Sequence, residues 1–309
     1  PALRRECPAM LRLGILDFDT SHATAFTQRL NHVGTDRDQF VEGARIVVGC
    51  PGESVLSPER IAGFTAEMRK YEVPLVDRPE DMIGRVDAML IEAVDGTVHL
   101  ARARPFLERG IPCFVDKPFT CSAADAKALI ELAARHKTFV FSSSSLRYAP
   151  EVVAYAADAG KGKLLGCAVH GPASLSPIPA RNAGLYHYGI HCVEILYTLM
   201  GPGCRRVTNV SDAGVDVVTG HWADGRVATV RGIRAGRADY GFVGFAEKSV
   251  QSVVVGTRFI YRELLKKIVA AFEKKTPAVP PAETLEIMAF IEAANKSGAN
   301  HGAAEVVRT

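Results

Sequence analysis

The densest group of reactive side chains is Tyr186-His187-Tyr188-Gly189-Ile190-His191-Cys192-Val193-Glu194. On a helix, His187, His191 and Glu194 fall at i, i+4 and i+7, along one face. Two imidazoles and a carboxylate on one stripe can bind zinc or another divalent ion. They can equally supply a general acid and base near neutral pH, and polar residues at a domain interface give the same pattern. A second group is Asp116-Lys117-Pro118, a lysine between a carboxylate and a proline that fixes the backbone. It reads either as a site residue or as an exposed, salt-bridged lysine.

The third group is the loop Gly14-Ile15-Leu16-Asp17-Phe18-Asp19-Thr20-Ser21-His22. A dinucleotide-binding turn carries G-x-G-x-x-G, so that backbone approaches the pyrophosphate at a helix N-terminus. Here the three places hold Asp17, Asp19 and His22. A carboxylate that faces a phosphate charge from ~5 Å costs roughly 3 kcal/mol at an effective dielectric near 20. The loop therefore reads as an acidic N-cap, or as an acidic cup for sugar hydroxyls or a cation. Farther along, Cys50-Pro51-Gly52-Glu53 has no acid at its tip to grip a ribose, although Glu53 is close.

These groups have to be positioned, and the hydrophobic pattern says how. Short apolar runs at Leu11–Leu16, Arg45–Cys50, Pro74–Asp77, Ala88–Ile91, Pro112–Val115 and Thr138–Ser142 read as strands. Helical patterns lie between them at about 22–32, 58–71, 97–109 and 123–136, with Thr20 or Ser21, Ser57 and Ser122 as N-caps. Six strands alternating with helices predict an α/β unit with a doubly wound parallel sheet. All its strands then end on one edge, where ligands bind. Beyond Pro150 the pattern predicts an α+β unit with a mostly antiparallel sheet, a hairpin at Asp224-Gly225, and helices over about 188–200, 258–274 and 281–296. The expected division is 10–145 and 146–309, with the last helix packing back on the first unit.

Composition narrows the partners. At ~150 residues per domain, 309 residues predict about two domains. The hydrophobic fraction is 48%, and 37 basic against 34 acidic residues leave a net charge of +3. That balance argues against nucleic acid or an acidic membrane as partner. No stretch approaches the ~18 apolar residues of a membrane span. Seven scattered cysteines without a C-x-x-C pair argue against a disulfide framework or a zinc knot. Arg4-Arg5 faintly resembles a twin-arginine signal, but the apolar run that follows is short and meets Asp17, so a reducing cytoplasm is expected.

The order of Asp116-Lys117-Pro118 after the fifth strand, Leu146-Arg147-Tyr148-Ala149-Pro150 after the sixth, and Gly189-Ile190-His191 opening a helix that ends Leu199-Met200-Gly201 resembles the glucose–fructose oxidoreductase / inositol dehydrogenase (Gfo/Idh/MocA) family. The resemblance runs from Leu11 to about Val307. It implies a Rossmann-type first domain, NAD or NADP as cofactor, and oxidation of a CH–OH group on a sugar, cyclitol or related polyol. It places Lys117 as the family's E-K-P lysine, with Asp116 in place of glutamate. The family's D-x-G-x-H motif falls on His187-Tyr188-Gly189-Ile190-His191, with His187 in the aspartate's place. His191 would accept the substrate proton, and Lys117 would polarise the oxygen.

Asp17, Asp19, Ser21, His22, Asp95, His99, Asp116 and Pro118 would then line the cofactor, and Arg147, Tyr148 and Tyr186 the substrate. Pairing of the antiparallel sheet between subunits would make a homo-oligomer. Two other functions stay open: a cofactor-free sugar-binding or regulatory protein of the same fold, and a metal-assisted lyase, isomerase or hydrolase using His187, His191 and Glu194.

Overall fold

A computed structural model describes residues 10–309. Arg4, Arg5 and Cys7 lie outside the described residues. The first half builds β1 (Leu11–Leu16), α1 (His22–Asn31), β2 (Ala44–Cys50), α2 (Pro58–Lys70), β3 (Ala88–Ile91), α3 (His99–Leu107), β4 (Cys113–Val115), α4 (Ala123–Arg135) and β5 (Val140–Ser142). The strands form one parallel sheet in the order β2-β1-β3-β4-β5. Their near-continuous apolar runs suit a sheet covered on both faces. The order reverses direction between β1 and β3, which opens the crevice in which ligands of such sheets lie.

One expected strand is reduced. Pro74–Asp77 makes a single parallel bridge between Leu75 and Gly49, so the sheet has five strands rather than six. Gly49 N–H donates to the Pro74 carbonyl and Val76 N–H to the Gly49 carbonyl. Proline has no N–H with which to extend the ladder on its other side.

The second half contributes α5 (Pro150–Ala157), β6 (Leu164–Pro172), α6 (Ile190–Met200), β7 (Cys204–Asp212), β8 (Val215–Trp222), β9 (Val227–Ile233), β10 (Gly241–Ala246), β11 (Val250–Val254), α7 (Ile260–Lys274), α8 (Pro281–Ala299) and β12 (Glu305–Val306). Its seven strands run β11-β10-β6-β9-β8-β7-β12, antiparallel except where β6 meets β9. The β8–β9 hairpin turns at Asp224-Gly225, where Gly225 takes a φ of 87° that a side chain would resist.

Three helices tie the halves together. α6 is buried along almost its whole length against β6. α7 turns Leu264, Leu265, Ile268 and Phe272 into the core that holds Leu13, Ile15 and Phe26 of the first half. α8 covers the second sheet with Ile287, Phe290 and Ile291. It also packs back on the first half, where Glu292 Oε2 accepts the Ala123 N–H at 2.9 Å. Among the described residues, no helix is long and apolar enough to cross a membrane.

Candidate active site at the switch point

A cavity of about 380 Å³ opens at the C-terminal edge of the parallel sheet. Thr20, Ser21 and His22, at the start of α1, form one wall, and Ser57 and Arg60, at the start of α2, form another. Lys117, beyond β4, faces His187, Tyr188 and His191 from the region of α6. Thr257, Ile260 and Tyr261 close the cavity from the chain entering α7. Residues far apart in sequence therefore meet at the edge that the strand pattern singles out.

Lys117 and His191 come together there. The Lys117 ammonium lies 5.5 Å from the centre of the Tyr188 ring, and the His191 ring meets Tyr188 edge-on at 5.0 Å. His191 Nδ1 is 2.7 Å from Ser144 Oγ, which fixes the ring plane. Burial, then the nearby Lys117 charge, hold the His191 imidazole well below its ordinary pKa, so it is neutral. The same two causes lower His187. Two neutral rings do not repel each other across the cavity.

The expected stripe of His187, His191 and Glu194 does not form a ligand set. α6 begins at Ile190, so His187 sits in the turn before the helix. Glu194 is directed into the interior, where its Oε2 accepts from Arg147 Nε at 2.6 Å. Arg147 also pairs with Glu283 at 2.7 Å. Arg147 is thus the centre of a buried ion network, not a substrate contact. Tyr148 is buried outside the cavity, and Tyr186 donates its hydroxyl to the Met288 carbonyl at 2.9 Å. None of the three expected substrate residues lines the cavity, and Arg147 and Tyr186 are tied to partners in the interior.

A different cluster lies at the site. His22, Glu92 and Asp116 follow β1, β3 and β4, and all three are buried. His22 Nδ1 is 3.2 Å from Glu92 Oε2 and 3.0 Å from Asp116 Oδ2. The His22 ring stacks on Phe26 at 4.7 Å and meets Tyr261 edge-on at 5.0 Å. Burial pushes Glu92 up to about 7. Burial acts in the same direction on Asp116, but His22 and Lys117 outweigh it and hold Asp116 below its ordinary value. Glu92 is absent from the motifs above, yet it directly follows the apolar run Ala88–Ile91, at the strand tip where ligands gather.

The loop that lacks glycines nevertheless keeps their backbone. Asp17 takes φ 71°, the left-handed conformation that glycine adopts freely. Neither Asp17 nor Asp19 faces the cavity. Asp19 Oδ1 accepts the Val94 N–H at 3.1 Å. Asp17 is turned toward Gly52 and lies 3.4 Å from Arg102 Nε. The repulsion expected of two carboxylates facing a phosphate is therefore absent. What does face the cavity is the N-terminus of α1, the Thr20, Ser21 and Ser57 side chains, and Arg60. That set fits a phosphate and the nicotinamide end of a dinucleotide. The notch between the tips of β1 and β2 is filled by the Asp17 carboxyl: a Cβ on Gly52 would overlap it.

Burial, offset in part by Arg102, raises Asp17 from 3.8 to about 7. A displacement of that size corresponds to about 4 kcal/mol. Because the folded value is the higher one, the neutral acid favours folding at low pH, and that stability is lost as pH rises through about 7. An Asp17→Asn variant, which tolerates the same backbone, is expected to match the wild type near pH 3. At pH 8–9 it is expected to be more stable by up to about 4 kcal/mol. Urea melts at both pH values check this; an equal difference at both would show that ionisation is not the cause.

Two other expected cofactor residues act as clamps. His99 contacts the Ala93 carbonyl at 2.8 Å through Nε2 and the Pro118 carbonyl at 2.9 Å through Nδ1. Asp95 is paired with Arg181 at 2.6 Å. They hold the loops after β3 and β4 in place without lining the cavity.

A parallel nucleotide-type sheet and a larger, mostly antiparallel sheet, with a lysine–histidine pair at the cavity, define a Rossmann-like α/β fold joined to an α+β unit. Residues 55–144 match the Gfo/Idh/MocA family model, described as an oxidoreductase family with an NAD-binding Rossmann fold. The UDP-N-acetylglucosamine 3-dehydrogenase of Acidithiobacillus ferrooxidans is 32% identical over 104 residues, 34% of this chain. The matched stretch spans about a third (32%) of that relative's length.

A putative myo-inositol dehydrogenase from Sinorhizobium meliloti superposes with a TM-score of 0.78 at 17% identity, covering 97% of this chain and 100% of that one. The myo-inositol dehydrogenase from Lactobacillus casei, in complex with NAD(H) and myo-inositol, superposes at 0.77 with 14% identity over 97% of each chain. The chain shares the fold of these dehydrogenases, and its residues 55–144 match the Gfo/Idh/MocA family model.

Proposed function

We propose that the protein is an NAD(P)-dependent oxidoreductase of a sugar, cyclitol or related polyol. The observation that carries this reading is the convergence of Lys117 and a neutral His191 on one cavity beside the α1 N-terminus. With Nδ1–H donated to Ser144 Oγ, His191 Nε2 is free to take a proton from a substrate hydroxyl. Lys117 stabilises the negative charge that develops on that oxygen. Thr20, Ser21 and Arg60 would hold the phosphates, and the nicotinamide, when bound, supplies the hydride acceptor. Tyr188 and Tyr240 give the substrate apolar walls against which a ring can lie.

Fluorescence titration with NADH and NADPH, followed by turnover on a panel of inositols and aldoses, tests the reading. Saturable binding below millimolar concentration with turnover supports it, and no binding of either cofactor at millimolar concentration overturns it. The filled Asp17 notch favours one second reading, a sugar-binding protein of the same fold that takes no dinucleotide. Carbohydrate-induced thermal shifts without any response to NAD(P)H would select it.

The same reading includes self-assembly. Val210, Val227, Phe245, Val250 and Val254 share the outer face of the seven-stranded sheet and are exposed. Such a face is suited to pairing with a second copy. Light scattering that finds a monomer at micromolar concentration would remove this element.

A further inference from the structure

We propose that His22, Glu92 and Asp116 form a binding site for one divalent transition-metal ion, of the Zn²⁺ or Mn²⁺ class, behind the cavity wall that His22 forms. Each residue offers one ligand atom, and His22 Nδ1 lies 3.2 Å and 3.0 Å from the two carboxylate oxygens. Around a tetrahedral ion with bonds of about 2.0–2.1 Å, neighbouring ligand atoms are about 3.3 Å apart. Both nitrogen–oxygen distances therefore stand close to the spacing such an ion requires, and the three atoms lie within 4.8 Å of one another.

Hydrogen bonding alone leaves this cluster incomplete. A ring nitrogen carries at most one proton, yet two carboxylates converge on Nδ1. Glu92 is fully buried, and its other oxygen, Oε1, has no hydrogen-bond partner. An unpaired buried carboxylate oxygen is costly. A divalent cation matches the charge of both carboxylates and leaves the imidazole neutral, the form in which it ligates. One nitrogen and two oxygens are a donor set suited to Zn²⁺ or Mn²⁺, whereas Mg²⁺ favours oxygen alone.

The placement gives the ion a use. The cluster sits at the tips of β1, β3 and β4, at the reversal of strand order, and His22 lines the same cavity as Lys117 and His191. Three protein ligands leave coordination positions for a hydroxyl or carbonyl oxygen of a polyol or keto-sugar. The proposal does not depend on a dinucleotide. A metal can be bound whether or not NAD(P)H is, so metal and cofactor titrations fail separately.

The full chain, stripped with a chelator and returned to metal-free buffer, is titrated calorimetrically with Zn²⁺ and separately with Mn²⁺, with Mg²⁺ as comparison. The expected result is one equivalent bound at micromolar or lower concentration, with a raised Tm. Glu92→Gln and Asp116→Asn should each weaken binding at least 100-fold. Should either variant fail to fold, Mn²⁺-loaded wild type must still show nitrogen hyperfine coupling from one histidine in its electron-spin-echo spectrum. The proposal is overturned by a wild type that takes up less than a tenth of an equivalent. It is equally overturned by binding that both folded variants retain, or by bound Mn²⁺ without a nitrogen ligand. A His22 imidazolium held by two carboxylates would then be the state of the cluster.

Discussion

His191→Asn is expected to lower turnover of a polyol substrate by about 10²- to 10⁴-fold, the range lost when a positioned general base is removed. Asparagine can keep a hydrogen bond to Ser144 Oγ, as Nδ1 does now at 2.7 Å, so little of the local packing should change. What it cannot do is take a proton at the position of Nε2. A second measurement ties the loss to the ring. Burial and Lys117 depress the folded pKa of His191 well below 6.5; Asp116 opposes them, and His22 and His187 add to the depression. The wild type should therefore stay active below pH 6.5 and lose activity only as the ring finally protonates.

The sign for stability follows. A depressed folded value means that stability is present above 6.5 and is lost as pH falls toward the lower, folded value. His191→Asn should abolish that part of the acid sensitivity. A variant with unchanged kcat, or one whose stability falls with acid as steeply as the wild type's, would remove His191 from the chemistry.

Arg147→Met carries the largest expected effect on stability. Arg147 is buried between Glu194 at 2.6 Å and Glu283 at 2.7 Å, and its removal strands both carboxylates. Breaking a buried ion network on one side costs about 3–5 kcal/mol. For a chain of this size that is roughly 5–8 °C in Tm. Lowering the pH should restore part of the loss, since burial already raises Glu194 and an unpaired carboxyl protonates more readily still. If Arg147 instead touched substrate, KM would rise while Tm stayed put. Thermal melts at pH 5 and 8, set beside steady-state kinetics, separate the two roles.

Much of the fold is legible in the sequence, because apolar runs and helix caps act locally. Ser122 accepts the Asp125 N–H as its capping pattern predicts, and α4 begins where the pattern places it. Lys117 and His191 are legible too, since a strand tip and a helix start fix where each must lie. The failures share one cause: side-chain direction is a tertiary property. Nothing in the spacing of His187, His191 and Glu194 reveals that Arg147 draws Glu194 inward. Nor does the composition of the first loop reveal that Asp17 turns toward Gly52 and leaves the cavity. Glu92 is not legible in the sequence because it stands alone, without a neighbour whose type suggests chemistry. Only the meeting of three strand tips gives it partners.

The cavity walls come from the chain near 20, near 57 and near 257, brought together without a covalent link. Anything bound among them acts as a reversible staple on the folded chain, because the unfolded chain offers it no such enclosure. At a hundred times its dissociation constant, a ligand adds about 2.7 kcal/mol to stability by mass action alone. Melting temperature thereby becomes a census of the molecules that the cavity accepts. Molecules that grip all three stretches declare themselves by heat resistance before any turnover is seen.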